Sequence, residues 1–297
     1  LTAIFTRGVI LIFILYAVLG LLIGVLSGFF GVGGGFILTP VLLLLSVDPI
    51  TAITISLMYT IGTSVSGVFA HLKMKNVKWK DAALIGASGA AATQAANPFV
   101  FFLNDHHLDE TVIPLAYVLL LGYFSWSLLL RKDKKTSSGR KKGMNLLILV
   151  FTGATGGFVS TLLGVGGGFI LVPLLISLSG FKPREAVGTS LMSVLFIVTA
   201  GFITYFAKSP IDLSTGAMLI AGGLAGAQAG AYLTSRFEQT EIRTLLGSLY
   251  VITALSTGLK LAGLEYLGII VLIVFIGGLY VKMGLKIGKQ LKEIRSK

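Results

Sequence analysis

The sequence predicts an all-α polytopic membrane protein with two inverted-topology repeats. Each repeat is a glycine-broken helical hairpin plus three spans, and one extra C-terminal helix follows the second. Three observations predict this. The 297 residues are 55% hydrophobic and only 12% charged, too little charge to cover a water-soluble surface. Apolar runs near the ~20 residues that cross ~30 Å of hydrocarbon recur about ten or eleven times. The block GVGGGFILTP (Gly31–Pro40) returns as GVGGGFILVP (Gly164–Pro173), with nine identities in ten positions.

In chain order, the first element is Val9–Phe30 followed by Phe36–Ser46, joined through a run of four glycines in five positions, Gly31–Gly35. The second arm has about eleven residues, roughly half a bilayer at ~1.5 Å per residue, so the pair reads as a hairpin turning inside the membrane. Thr51–Ala70, Ala82–Leu103 and Val112–Leu130 follow as full spans. The second copy starts with Leu146–Leu163 and Phe169–Leu178. Beyond the glycine block the match continues 134 residues on: Pro49 with Pro183, Ser56–Met58 with Ser190–Met192, and Gln94 with Gln228. Upstream, Gly20, Gly24 and Ser27 meet Gly153, Gly157 and Ser160. The units are therefore an N-terminal repeat (1–132), a basic linker (133–143), a C-terminal repeat (144–263), and an extra helix with a basic tail (264–297).

Charge sets the expected orientation. His71–Lys80, Arg131–Lys142 and Lys282–Lys297 are rich in Lys and Arg, and short loops of that kind stay cytoplasmic. Asn104–Glu110 has no Lys or Arg and fits the outside, so two spans join two inside loops. Ser46–Pro49 then lies outside, whereas its counterpart Gly180–Glu185, with Lys182 and Arg184, lies inside. Equivalent loops on opposite sides mean an odd number of crossings per repeat, hence inversion. Glu265–Val281 returns the tail to the cytoplasm, with the N-terminus outside. The chain starts at Leu1, so a cleaved leader is neither predicted nor excluded.

Several function classes fall away. There is no cysteine, so disulfides and thiolate chemistry are excluded. The net charge of +12 resides in loops beside helices, as orientation determinants do, and implies the lipid bilayer rather than nucleic acid as partner. No Asp, Glu, Lys or Arg falls mid-span, and His106–His107 is a loop pair. No metal, cofactor or catalytic residue is therefore expected, and the chain is not predicted to be an enzyme. Gly31 and Gly33 begin a dinucleotide-like G-x-G pattern, but Phe36 occupies its third glycine place and no strand precedes it.

What remains is a site for an anion. Gly33, Gly34, Gly35 and Gly166, Gly167, Gly168 lead into new helices, where unpaired N–H groups and the positive dipole end suit negative charge. Inverted repeats with broken helices are typical of secondary transporters, which bind substrate between the repeats. Gln94 and Gln228 are expected as buried amides, either donating to an oxyanion or tying helices together. Ser56, Thr189 and Ser190 either donate to the anion or bond back to their own helices. Ser27 and Ser160 are open between lining and packing, and Asn97 before Pro98 reads as a helix-end device. Gly20/Gly24 and Gly153/Gly157 read as close-packing positions.

These residues carry a resemblance. The paired GVGGGFILTP and GVGGGFILVP blocks, GTSLM (Gly188–Met192) and the Gly/Ala/Gln-rich fourth element resemble the TauE/SafE (TSUP) sulfite exporter family over nearly the whole chain. The resemblance implies a bacterial inner-membrane exporter of sulfite or C2 organosulfonates such as sulfoacetate, working by alternating access. It places substrate at Gly33–Gly35, Gly166–Gly168, Gln94 and Gln228. The first repeat departs at TISLM, where Ile55 stands opposite Thr189. An interior-negative voltage supplies about 2.3 kcal/mol per charge per 100 mV for anion export. The alternatives are an anion channel, or a proton-coupled carrier of thiosulfate, sulfate or a carboxylate. Coupling through Glu185 or His71 stays open, as does the oligomeric state.

Overall fold

The computed structural model describes residues 2–130, 146–211 and 213–295; the basic linker predicted at 133–143 lies outside them. Eleven helices and no strand occur among the described residues. The first repeat comprises α1 (Thr2–Phe30), α2 (Gly35–Leu44), α3 (Pro49–Lys73), α4 (Trp79–Asp105) and α5 (Asp109–Leu130). The second comprises α6 (Leu146–Leu163), α7 (Gly168–Ser177), α8 (Pro183–Lys208), α9 (Leu213–Thr234) and α10 (Gln239–Leu261), and α11 (Glu265–Arg295) follows. Eight of these are long and apolar enough to cross a membrane, while α2 and α7 have ten residues each. The long α4 falls short on hydropathy, because Ser88, Thr93, Gln94 and Asn97 dilute an alanine-rich helix.

Local signals fix the helix starts. Both α3 and α8 open on a proline, which needs no N–H partner at the first helical position. Asp48 caps α3 by accepting the Thr51 N–H at 3.0 Å. Glu238 and Glu241 form a reciprocal capping box on α10.

The repeats interlock rather than sit side by side. The first helix of each packs on the fourth helix of the other, α1 on α9 and α6 on α4. The third helices follow the same exchange, α3 on α9 and α8 on α4. Two equivalent pairs face each other directly and run antiparallel. Gly67 meets Leu191 and Gly201 meets Leu57 between α3 and α8. Val118 meets Gly258 and Leu129 meets Gly247 between α5 and α10.

Glycines set how closely the exchanged helices approach. A Cβ added at Gly20 would lie 2.1 Å from the Leu219 carbonyl oxygen, and one at Gly157 would lie 2.0 Å from that of Gly89. These backbones touch, as small residues permit in membrane helix pairs. The packing reading of Gly20, Gly24, Gly153 and Gly157 agrees with these contacts.

Candidate functional site

The two glycine runs are fully buried and lie against each other. A Cβ on Gly35 would stand 2.4 Å from the Gly164 carbonyl oxygen, and one on Gly168 would stand 2.4 Å from that of Val32. Each turn thus presents a carbonyl to the start of the other's short helix. Thr60 and Val194 both line this meeting point: each lies against Gly33 and Gly166. Both are near the middle of their helices, α3 (Pro49–Lys73) and α8 (Pro183–Lys208), so the turns meet at half height of those spans.

Main-chain amides concentrate there. Thr60 Oγ1 accepts the Gly35 N–H at 2.9 Å. The amides of Gly33, Gly34 and Phe36, and those of Gly166, Gly167, Gly168 and Phe169, donate to no acceptor among the described residues. Buried amides are nearly always paired, so this cluster is unusual. It coincides with the positive ends of α2 and α7, each equivalent to about half an elementary charge. Such an arrangement can hold an oxyanion by hydrogen bonds and dipoles, without a fixed cation. The Gly164 and Val32 carbonyls lie opposite the two helix starts.

Side chains around the turns are polar on the first-repeat side. Thr39 donates its hydroxyl to the Gly164 carbonyl at 3.2 Å. Ser190 donates to the Gly31 carbonyl at 2.7 Å, across the repeats. Its counterpart Ser56 lies one turn from Ile53, which touches Gly164, and one turn from Thr60. The Ser56 hydroxyl is buried with no partner, as are the hydroxyls of Ser27 and Ser160.

Other expected residues lie elsewhere. Thr189 accepts the Lys78 N–H at 3.1 Å, near the loop between α3 and α4. Gln94 and Gln228 are exposed, correcting the expectation that they are buried. Gln94 shares its face of α4 with exposed Phe102 and pairs at 3.3 Å with both Thr93 and Thr204. Gln228 shares its face of α9 with exposed Leu224 and Tyr232. The structure therefore gathers the glycines, Ser56 and Ser190, and sets Thr189 and the two glutamines apart from them.

Asn97 is a second correction. It lies inside the continuous helix α4, 2% exposed, with both amide atoms unpartnered, so it does not end a helix. Thr60 and Thr39 were missed. Thr60 follows Ser56 by one helical turn, and Thr39 is the single difference between the two ten-residue blocks, so both carried a readable signal.

Comparison with known proteins points one way. Residues 16–257 match the family described as Sulfite exporter TauE/SafE. The chain is 29% identical over 244 residues to the probable membrane transporter protein YjnA of Bacillus subtilis, covering 80% of this chain and 96% of that one. It is 26% identical over 257 residues to YunE of the same organism, also a probable membrane transporter protein, covering 77% and 91%. A probable membrane transporter protein of Methanocaldococcus jannaschii is 25% identical over 197 residues, covering 64% and 71%. No solved structure matches.

Proposed function

This chain belongs to the sulfite exporter TauE/SafE family of membrane transporters, and on that premise we propose that it exports small sulfur oxyanions, sulfite or C2 organosulfonates, by alternating access. The supporting observation is the paired turn: seven buried amides without acceptors at two facing helix starts, with no charged side chain among the contacts described there. An oxyanion entering the seam supplies the acceptor that those amides lack. Ser56 and Ser190 hydroxyls flank it, and Thr60 holds the start of α2 in place.

In this reading the repeats are inverted in the bilayer of a bacterial inner membrane, with the C-terminus cytoplasmic and the N-terminus outside. The antiparallel pairs α3/α8 and α5/α10 support the inversion, and the Lys/Arg-rich loops support the orientation. Parting the turns toward one side, then the other, moves the anion; the inside-negative voltage drives it outward. Gln94 and Gln228 contribute at most from the exposed faces of α4 and α9.

The test is flux from proteoliposomes loaded in turn with sulfite, sulfoacetate, thiosulfate, sulfate and acetate, under imposed voltage and without a pH gradient. Saturable, voltage-driven efflux of the sulfur oxyanions, accelerated by the same anion on the far side, is expected. Efflux that needs a proton gradient and ignores voltage would sink the uniport reading, and unsaturable current would replace the carrier with a channel.

A further inference from the structure

His71 and Tyr205 are 134 residues apart, so they occupy equivalent places near the ends of α3 and α8, and both are fully buried. Tyr205 donates its hydroxyl to the Thr161 carbonyl at 2.8 Å. The His71 ring faces the Gly28 carbonyl, 133 residues before Thr161. Each carbonyl stands three residues ahead of the first glycine of its turn, Gly31 or Gly164. Both repeats therefore set a ring from their third helix against the end of their first, hydrogen-bonded in the second repeat only. One ring is a phenol, ordinarily neutral below pH ~10; the other is an imidazole, which ordinarily titrates near pH ~6.5.

The histidine brace is also the looser one. The Asn76 amide nitrogen lies 3.3 Å from Nδ1, and Nε2 makes no hydrogen bond. An amide nitrogen only donates, so Nδ1 accepts and the neutral ring carries its proton on Nε2, toward Gly28. The charged groups at this end are Lys73 and Lys75 on its own segment, Lys80 and the buried Asp81 at the start of α4, and Lys78 and Glu185, which pair with each other at 3.2 Å. Arg184 at the start of α8 is engaged with the Ser235 and Phe237 carbonyls. From α1 comes the Gly28 carbonyl, next to the Phe29 carbonyl to which Thr234 of α9 bonds at 2.9 Å. A protonated ring here would be a buried cation, and the Glu185 carboxylate at this end already has a lysine. That state is costly until the ring reaches water.

We propose that His71 is a proton-operated latch on the first hairpin. Neutral, it holds the end of α1 closed; protonated, it swings toward water and lets the first glycine turn part from the second. The second hairpin, held by Tyr205, has no such latch. The latch stands on the repeat geometry; only its link to anion movement rests on the transporter reading.

Hydrogen exchange of the full chain in lipid nanodiscs reads the latch without any substrate. After correction for intrinsic rates, residues 24–44 are expected to exchange about tenfold faster at about pH 5.5 than at about pH 7.5. Residues 157–177 keep their rate within about twofold over that interval. His71→Tyr abolishes the first response, and Tyr205→His installs one in the second hairpin. Equal responses of the two hairpins in the wild type, or a first-hairpin response that survives His71→Tyr, overturn the proposal. Should His71→Tyr not fold, the wild-type contrast decides alone. Sulfite efflux from parallel vesicles separates the two ideas: a wild type that moves no sulfite sinks the transport reading, while the exchange contrast still decides the latch.

Discussion

Gly34 and Gly167 hold the same place in two copies of the same five letters, yet their φ angles are −73° and 72°. The neighbours differ. Beside Gly34 lies the ring of Tyr59, whose hydroxyl reaches the Gly20 carbonyl. The residue equivalent to Tyr59 is Ser193, which bonds to the Ala82 and Thr189 carbonyls instead. Gly167 lies in the left-handed region, with the Gly156 carbonyl oxygen where its Cβ would stand. The two shapes of one sequence thus go with different neighbours, an aromatic ring beside one turn and a serine at the equivalent place beside the other. What the turns share is the backbone contact between them; what divides them is a polar first-repeat flank, Thr39 and Thr60, against Val172 and Val194.

The largest expected effect breaks what the turns share. Gly35→Ala or Gly168→Ala puts a methyl 2.4 Å from a backbone carbonyl oxygen of the opposite turn. Overpacking of this kind against main chain costs about 3 kcal/mol, and size-exclusion chromatography in detergent should show loss of the folded monodisperse species. Gly122→Ala, with nothing within 4 Å, is the tolerated control.

Next, Gly34→Ala and Gly167→Ala should separate by rescue. At Gly34 the added methyl meets the Tyr59 ring at 2.1 Å, so shortening that side chain with Tyr59→Leu should recover part of the lost melting temperature. At Gly167 the obstacle is the Gly156 carbonyl at 2.6 Å, and the left-handed backbone adds about 1–2 kcal/mol of strain, so no side-chain trim should help.

Thr60→Val copies the second repeat into the first and strands the Gly35 N–H that Thr60 accepts at 2.9 Å. A loss of about 2 kcal/mol is expected, read by thermal unfolding, with slowed efflux. Thr39→Val makes the ten-residue blocks identical and leaves the Gly164 carbonyl without the 3.2 Å donor. That should cost about 1 kcal/mol in the same assay. Smallest are Gln94→Ala and Gln228→Ala: on exposed faces, each should change efflux by less than about twofold. A tenfold drop with normal folding would return the glutamines to the anion's path.

The sequence carried the hairpins, because a half-length apolar segment after four glycines has few other readings in a membrane chain. It also carried the helix-packing glycines, whose four-residue spacing survives as backbone contact. It misjudged α4, where Ala and Gly surround the helix and leave no apolar stripe to orient Gln94 against Asn97; the structure exposes the first and buries the second. Nor was the difference between the turns legible, since the letters are identical and the ring that distinguishes them belongs to α3. Thr60 was within reach, one turn beyond Ser56, but its value depends on meeting Gly35, which is a tertiary fact.

The swapped clasp of α1 by α9 and of α6 by α4 has a further consequence. Neither half owns a complete surface: alone, each would expose a glycine-lined furrow that acyl tails fill less well than a partner backbone. A chain severed between Leu130 and Leu146 should therefore yield protein only when both pieces are made in the same cell.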